Sequence, residues 1–103
     1  ATIPAEPEVV RGTINLFSTL VYALFDSRVS HSFVALNLAH ALSIDVERLF
    51  MPLVLSTAVR GQTSLFDVCR GCRLMLGPHQ SSGDLLLLQM QSYDVILGID
   101  WLF

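Results

Sequence analysis

The spacing of hydrophobic and polar residues predicts a chain built mainly from short strands. Residues 11–17 alternate polar and apolar side chains, residues 18 and 19 are small and polar, and residues 20–25 are again mostly apolar. Because alternate residues of a strand face opposite sides, this pattern is typical of two strands joined by a tight turn. We therefore expect a β-hairpin that ends at Asp26.

After Asp26 the pattern changes to that of a helix. Four apolar residues fall on one helical face: Val34, Leu38, Ala41 and Leu42. This spacing predicts a helix of about three turns over residues 32–42. We expect Ser30 or Ser32 to cap it, because a serine hydroxyl can accept a hydrogen bond from an unpaired backbone N–H in the first turn.

The second half of the chain alternates strand-like segments with turns. The predicted strands are residues 51–57, 64–69, 73–76, 84–90 and 95–97. Residues 47–49 are expected to be a connector and residues 79–83 a polar loop. Gly61 can adopt the positive φ of a hairpin tip. The four leucines at 85–88 indicate a strand buried on both faces, and residues 99–103 are expected to begin a short helix.

Composition and charge restrict the class of protein. Apolar residues make up 52% of the 103 residues and charged residues 15%, which indicates a dense core or an apolar face that a partner covers. The net charge is −3 and the six basic residues are scattered, so we expect no nucleic-acid partner. No apolar run could span a membrane and no secretory signal is evident, so we expect no membrane partner and an intracellular, cytoplasmic location.

Residues 24–31 carry the candidate chemistry. An apolar strand there ends at Asp26, and Ser27, Ser30 and His31 follow. A carboxylate at the end of a buried strand is costly to desolvate, and such a group is often retained for chemistry. The alternative is that Asp26 caps the helix or a turn, which is the commoner role of an isolated aspartate.

The cysteines and histidines do not indicate a metal site. Cys69 and Cys72 form one Cys-x-x-Cys pair, without the second pair or the βαβ context that a zinc or thioredoxin-like site needs. Two cysteines are also too few for a disulfide scaffold, so we interpret them as half-buried strand and turn residues in a reducing compartment. The histidines lack further ligands at useful spacing. We therefore expect no metal.

Four motifs follow one another along the chain from Val9 onwards. They are Gly12-Thr13-Ile14, Leu24-Phe25-Asp26-Ser27 with Ser30-His31-Ser32-Phe33, Val68-Cys69-Arg70-Gly71-Cys72, and residues 94–102. In this order and at this spacing they resemble the retropepsin-type aspartic protease domain of Ty3/gypsy-like LTR retrotransposon polyproteins, especially those of plants. The last motif is the most specific, because it combines an apolar triplet, glycine, aspartate and tryptophan in one register.

The resemblance implies an all-β fold, a closed and mainly antiparallel acid-protease barrel with one helix after the active-site loop and a short C-terminal helix. It also implies a homodimer that cleaves extended peptides of a polyprotein without a cofactor, located in a retroelement particle if the domain is part of a polyprotein. Asp26 of each chain would be catalytic. The two carboxylates would share a proton, so that one activates water while the other polarises the scissile carbonyl.

The resemblance also assigns roles to three further segments. The active-site loop support would be Ser27, Arg28, Val29 and Ser30. The flap that closes over a peptide would be Ala58, Val59, Arg60, Gly61 and Gln62. The wall strand behind the catalytic loop would be Val95, Ile96, Leu97 and Gly98.

Two features depart from the family pattern. Arg28 occupies the position of the family's glycine, and a guanidinium beside Asp26 would lower the pKa of that carboxyl by ~1–3 units and disfavour the shared proton. The chain also stops at Phe103, so we expect residues 1–8 as a flexible lead-in and residues 9–103 as a single domain truncated at its C-terminal strand. The alternative function is therefore a catalytically impaired domain kept for dimerisation or for binding peptides or proteins.

Overall fold

A computed structural model describes residues 9–57 and 61–102 of the chain. Its elements are β1 (Val9–Leu16), β2 (Thr19–Asp26), β3 (Phe33–Ala35), α1 (Leu36–Ala41), β4 (Glu47–Thr57), β5 (Gly61–Leu76), β6 (His79–Leu88), β7 (Val95–Leu97) and α2 (Ile99–Leu102). The expected lead-in at residues 1–8 and the flap residues Ala58, Val59 and Arg60 lie outside the described residues.

The strands form one mixed sheet in the order β1-β2-β7-β3-β6-β5-β4. Neighbours are antiparallel except for β2 with β7 and β3 with β6. A further pairing of β1 with β5, at Asn15–Met75 and Leu16–Leu74, closes the first six strands of this order on themselves, and β4 continues outwards from β5. The predicted fold class is therefore confirmed: a closed, mainly antiparallel β structure with two short helices.

The first hairpin forms as the alternating pattern predicts. Leu16 pairs with Thr19 across the tip, and Val9 pairs with Asp26 at the open end. Phe17 and Ser18 at the tip both have positive φ, 48° and 67°, the arrangement of a tight two-residue turn that matches the twist of the strands. The second strand consequently delivers Asp26 to the end of the sheet.

The helix predicted over residues 32–42 is wrong in its first part. Phe33–Ala35 forms β3, between β6 and β7, and only Leu36–Ala41 is helical. Neither Ser30 nor Ser32 caps this helix, because its N-cap is Ala35 and no side chain bonds to its first turn. All three residues of β3 are buried, and such a short apolar strand lacks the alternation that distinguishes a strand from a helix.

The second half has fewer and longer strands than predicted. Residues 47–49 belong to β4 rather than to a connector, and residues 79–83 belong to β6 rather than to a polar loop. The latter pair with residues 72–76 of β5 across a turn in which Gly77 has a φ of 60°. Their side chains are polar because this part of β6 is largely exposed. By contrast, residues 85–87 are buried, as the run of leucines indicates.

Cys69 and Cys72 are joined by a disulfide within β5, which corrects the interpretation of them as half-buried strand and turn residues. Both are buried, at 2% and 0% exposure. Residues three apart in a regular strand face opposite sides. Here the register with β6 shifts between the two cysteines and Gly71 has a φ of 64°, so a β-bulge turns both sulfur atoms to the same side.

The buried apolar residues form two clusters that hold the sheet together. The larger includes Leu16, Leu74, Leu85 and Leu97, drawn from four strands. The smaller consists of Phe33, Leu65, Val68 and Leu86, beneath the hairpin of β4 and β5. Within the described ranges, no helix is long and apolar enough to cross a membrane.

Candidate active site

Asp26 lies at the junction of the sheet and the loop that follows β2. Its neighbours Ala23, Leu24 and Phe25 pair in parallel with β7, and its backbone carbonyl accepts a hydrogen bond of 3.2 Å from the N–H of Val29. This turn directs the chain away from the sheet immediately after the carboxylate. The Asp26 side chain is only 7% exposed, so its charge needs a partner within the protein.

Arg28 is that partner. Its Nε donates to Oδ1 of Asp26 at 2.9 Å and its Nη2 donates to Oδ2 at 3.0 Å, which is the bidentate geometry of a strong guanidinium–carboxylate pair. The backbone N–H of Arg28 donates to Oδ1 as well, at 3.0 Å. The Arg28 side chain is 57% exposed, so one face of the pair is open to solvent.

This pairing determines the charge on Asp26. The hydrogen bonds from the Arg28 side chain lower the pKa of Asp26 below the 3.8 of an ordinary aspartate, against the opposing effect of burial, and the Arg28 backbone N–H and positive charge lower it further. Asp26 is therefore ionised throughout the mildly acid range. The guanidinium therefore opposes the protonated carboxyl that general-acid assistance of peptide hydrolysis requires.

The loop after Asp26 is fixed by the segment that follows β7. The N–H of Ile99 donates to the carbonyl of Val29 at 2.7 Å, and the N–H of Gly98 donates to the hydroxyl of Ser32 at 2.8 Å. The same hydroxyl donates to Asp100 Oδ1 at 2.6 Å. Ser32 is 1% exposed, so these two bonds satisfy an otherwise buried hydroxyl.

Of the four residues assigned to the wall strand, Gly98 lies against this loop, while Val95–Leu97 pairs with β2 and β3, the strands that precede and follow it. Val95, Leu97 and Gly98 are buried, while Ile96 is half-buried and faces the groove described next. Gly98 packs directly on the loop backbone. The structure thus brings this segment and the residues after Asp26 together.

An open groove of about 640 Å³ lies in front of Asp26. Its floor includes Arg28, Val29 and Ser30 of the active-site loop. Its walls come from β4 and β5, through Leu55, Ser56 and Thr63, and from residues 88–93. Asp26 and Arg28 are the only charged side chains among the described residues that line it. The groove is therefore apolar and hydroxyl-rich, with one internally neutralised ion pair.

Of the other candidate residues, Ser30 lines the groove, whereas Ser27, Gly61 and Gln62 do not. Ser27 is half-buried and Ser30 is exposed, with its hydroxyl 2.9 Å from Nδ1 of His31. Gly61 and Gln62 begin β5 and pair with Thr57 and Ser56, and Gly61 has a φ of 66°. These two residues do not line the groove within the part of the chain that the structure describes.

Residues 88–93 are the part of the site that sequence reasoning missed. Met90 and Tyr93 line the groove, and Tyr93 stacks on Tyr22 with 5.4 Å between ring centroids. Asp94 holds this wall in place, because its Oδ2 accepts a hydrogen bond of 2.8 Å from the N–H of Tyr22. The only signal in the sequence was the polar turn just before the wall strand.

The described residues contain no group of three or more His, Cys, Asp or Glu side chains that could hold a metal ion. The chemistry available in the groove is that of Asp26, Arg28 and neighbouring hydroxyls. A carboxylate at this position can act as a base on water, or it can serve as a fixed anion that orients the guanidinium.

Comparison with known proteins agrees with this geometry. The retroviral protease-like domain of Ddi1 from Leishmania major has a similar fold, with a TM-score of 0.66 and 18% sequence identity over 91% of this chain and 74% of that chain. No curated protein sequence gives a significant match. The family model for the retroviral aspartyl protease matches residues 1–103, and the chain therefore belongs to the retroviral aspartyl protease family.

Proposed function

We propose that this chain is the aspartic endopeptidase domain of a Ty3/gypsy-type retroelement polyprotein, which assembles as a homodimer and binds an extended peptide. The observation that carries the proposal is the place of Asp26: a buried carboxylate at the end of β2, on the floor of an open groove. The largely apolar lining suits the side chains of a peptide.

The number of carboxylates in the groove supports the proposed homodimer. Asp26 is the only aspartate or glutamate that lines it among the described residues. Hydrolysis by an aspartic protease needs two carboxylates, one to take a proton from water and one to donate a hydrogen bond to the scissile carbonyl. A second copy of the chain would supply the second Asp26.

A second candidate function is peptide binding with hydrolysis largely suppressed. The bidentate contact of Arg28 with Asp26 favours it, because the contact stabilises the ionised carboxylate and opposes a shared proton. Peptide binding in the groove does not require that shared proton. We therefore infer a retropepsin-type, peptide-binding homodimer in which Arg28 restrains catalysis.

One set of variants distinguishes the two functions. Cleavage of a peptide library at mildly acid pH is measured for the native chain and for Arg28→Gly, Asp26→Asn and the double variant. We expect weak or undetectable cleavage by the native chain and clear cleavage by Arg28→Gly, which the double variant abolishes. Robust cleavage by the native chain that Asp26→Asn removes would contradict the restraint by Arg28 and establish the first candidate.

The same proteins test the homodimer. Sedimentation equilibrium over a wide range of concentrations should show reversible dimerisation, and cleavage by Arg28→Gly should rise with the square of chain concentration while monomer predominates. A clean monomer at the highest concentration would refute the homodimer. The retroelement context is tested separately, by whether the flanking reading frame encodes a reverse transcriptase.

A further inference from the structure

The disulfide between Cys69 and Cys72 spans the bulge of β5, where two residues of β5 lie opposite the single residue Asp84 of β6. Of these two, Gly71 donates its N–H to Oδ1 of Asp84 at 3.1 Å, and Arg70 donates to Oδ2 at 3.1 Å. The side chains of Arg70 and Asp84 are 54% and 52% exposed, so solvent weakens their contact. The covalent bond is therefore the strongest link across the bulge.

The bulge is connected to α2 through Trp101. Gly83 pairs with Cys72, and a methyl group on Gly83 would be 2.7 Å from the indole ring of Trp101. The indole Nε1 also donates to the backbone carbonyl of Asp84 at 3.4 Å. The residues of β6 that face the disulfide are therefore the residues on which the Trp101 side chain packs.

The helix α2 in turn holds the active-site loop. The N–H of Ile99 donates to the carbonyl of Val29 at 2.7 Å, and Asp100 accepts a hydrogen bond of 2.6 Å from Ser32. Because α2 has only four residues, a displacement of Trp101 acts on both of these bonds. The described contacts thus run without a gap from the disulfide to the loop that follows the catalytic candidate.

We propose that Cys69 and Cys72 form a reversible redox site, at which a dithiol reductant releases the bulge and, through Trp101, loosens the active-site loop. A thiolate of the reductant attacks one cysteine sulfur, so that the S–S bond breaks and a mixed disulfide forms. The second thiol of the reductant then displaces the cysteine. Two electrons and two protons pass to the cysteines, and the reductant leaves as a disulfide. An oxidised reagent of the same class re-forms the bond by the reverse steps.

Reduction changes the packing because both sulfur atoms lie in the core. Cys69 is 2% exposed and Cys72 0%, in one cluster with Leu74 and Leu85. Two thiols need more room than two bonded sulfur atoms, and a close-packed interior does not supply it. The room comes from movement of the bulge, which the exposed contacts of Asp84 resist only weakly. The same local opening admits the reductant to the sulfur atoms.

The test compares the full chain before and after reduction with dithiothreitol, a small dithiol. Trp101 is the only tryptophan of the sequence, so its fluorescence reports on α2. Amide hydrogen exchange at Ile99, followed by NMR, reports on the bond to the active-site loop. The amides of β1 and β2 are the internal reference that separates a local change from a loss of global stability. The double variant Cys69→Ala/Cys72→Ala is the control, because it has no disulfide to reduce.

On reduction we expect exchange at Ile99 to become roughly tenfold faster, since a short disulfide loop restricts the opened chain by about that factor. Acrylamide should quench Trp101 more strongly, the amides of β1 and β2 should change much less, and reoxidation should reverse each effect. Dithiothreitol should change nothing in the double variant. Free thiols in the oxidised chain, unchanged exchange at Ile99, or an equal rise at all amides would each overturn the inference.

The rate of reduction tests the role of the bulge separately. Asp84→Ala removes the side chain that holds the bulge, and it should accelerate reduction by dithiothreitol several-fold. Asp45→Ala is the matched control, since Asp45 is an exposed aspartate outside the bulge. Loss of thiol-free protein is followed by labelling the new thiols with a maleimide. Equal rates of reduction in the two variants would overturn the release of the bulge as the step that opens the site.

Discussion

Gly98 lies so close to His31 that a methyl group at position 98 would be 2.4 Å from the carbonyl oxygen of His31. The carbonyl oxygen of Val29 would be 2.5 Å away. Both oxygens belong to the backbone of the active-site loop, and Val29 is also held by a hydrogen bond from Ile99. The position of this loop relative to the end of β7 therefore requires glycine at 98.

We predict that Gly98→Ala destabilises the chain by about 3 kcal/mol, the upper part of the usual cost of overpacking, because neither carbonyl can rotate away without breaking the loop. Urea unfolding measures the loss. Gly12→Ala is the matched control, since a methyl group there would meet only the Phe25 ring at 3.9 Å, an ordinary contact. Equal stabilities of the two variants would show that the loop does not pack on Gly98 as described.

Substitution of Ser32 should destabilise the chain almost as much as substitution of Gly98. Its hydroxyl accepts from the N–H of Gly98 and donates to Asp100, and it is buried. In Ser32→Ala the N–H of Gly98 loses its partner inside the protein, which costs about 1–3 kcal/mol. Thermal unfolding compares this variant with Ser64→Ala, an exposed serine of β5 that should change stability by less than about 0.5 kcal/mol. An equal loss of stability in the two variants would contradict this role for Ser32.

The elements that could be predicted from the sequence were those with a regular hydrophobic repeat or a clear residue that ends a strand or helix. The hairpin that ends at Asp26 alternates regularly, and the leucines of β6 form a run too apolar for a surface. Phe33–Ala35 could not be identified in the same way, because three buried residues have no period. Residues 79–83 were misassigned because an exposed strand segment and a loop have the same polar composition.

In the candidate site, too, the sequence indicated residues that a local feature marks and missed those whose contacts are distant in the sequence. Asp26 and residues 95–98 were singled out because a costly carboxylate and a specific motif mark them. Ser32 was expected to cap a helix, since its contacts with Gly98 and Asp100 span 66 and 68 positions of the sequence and leave no local signal. The disulfide was missed for a comparable reason. Cys-x-x-Cys spacing in a strand places the sulfur atoms on opposite faces unless a bulge intervenes, and the bulge is visible only in the register with β6.

The contrast between Leu85 and Phe50 tests where the core lies. Leu85 is fully buried, whereas Phe50 in β4 is fully exposed, although both belong to apolar segments. Leu85→Ala should cost about 2–5 kcal/mol through lost burial and the cavity it leaves. Phe50→Ala should change the free energy of unfolding by less than about 0.5 kcal/mol. A large loss in Phe50→Ala, measured by urea unfolding at low concentration, would mean that the monomer buries this side chain.

The Arg28–Asp26 pair should make stability depend on pH in a defined direction. Because the pKa of Asp26 is lowered in the folded chain, the unfolded chain binds a proton more readily. The stabilisation from Asp26 is therefore complete above the ordinary value of 3.8 and disappears as the pH falls through the lower folded value. The native chain should be more stable than Arg28→Gln at neutral pH, and the difference should shrink in strong acid.

Carboxyl carbon chemical shifts of Asp26, followed by NMR against pH, measure the cause directly. In the native chain the Asp26 resonance should titrate below 3.8. In Arg28→Gln the titration midpoint should move upwards, because burial raises the pKa of Asp26 and only the backbone N–H of residue 28 still lowers it. Arg70→Gln serves as the control, since Arg70 bonds to exposed carboxylates away from the groove and should leave the Asp26 midpoint unchanged. An Asp26 midpoint that is the same in the native chain and in Arg28→Gln would show that the guanidinium does not hold this carboxylate in solution, and the restraint on catalysis would lose its physical basis.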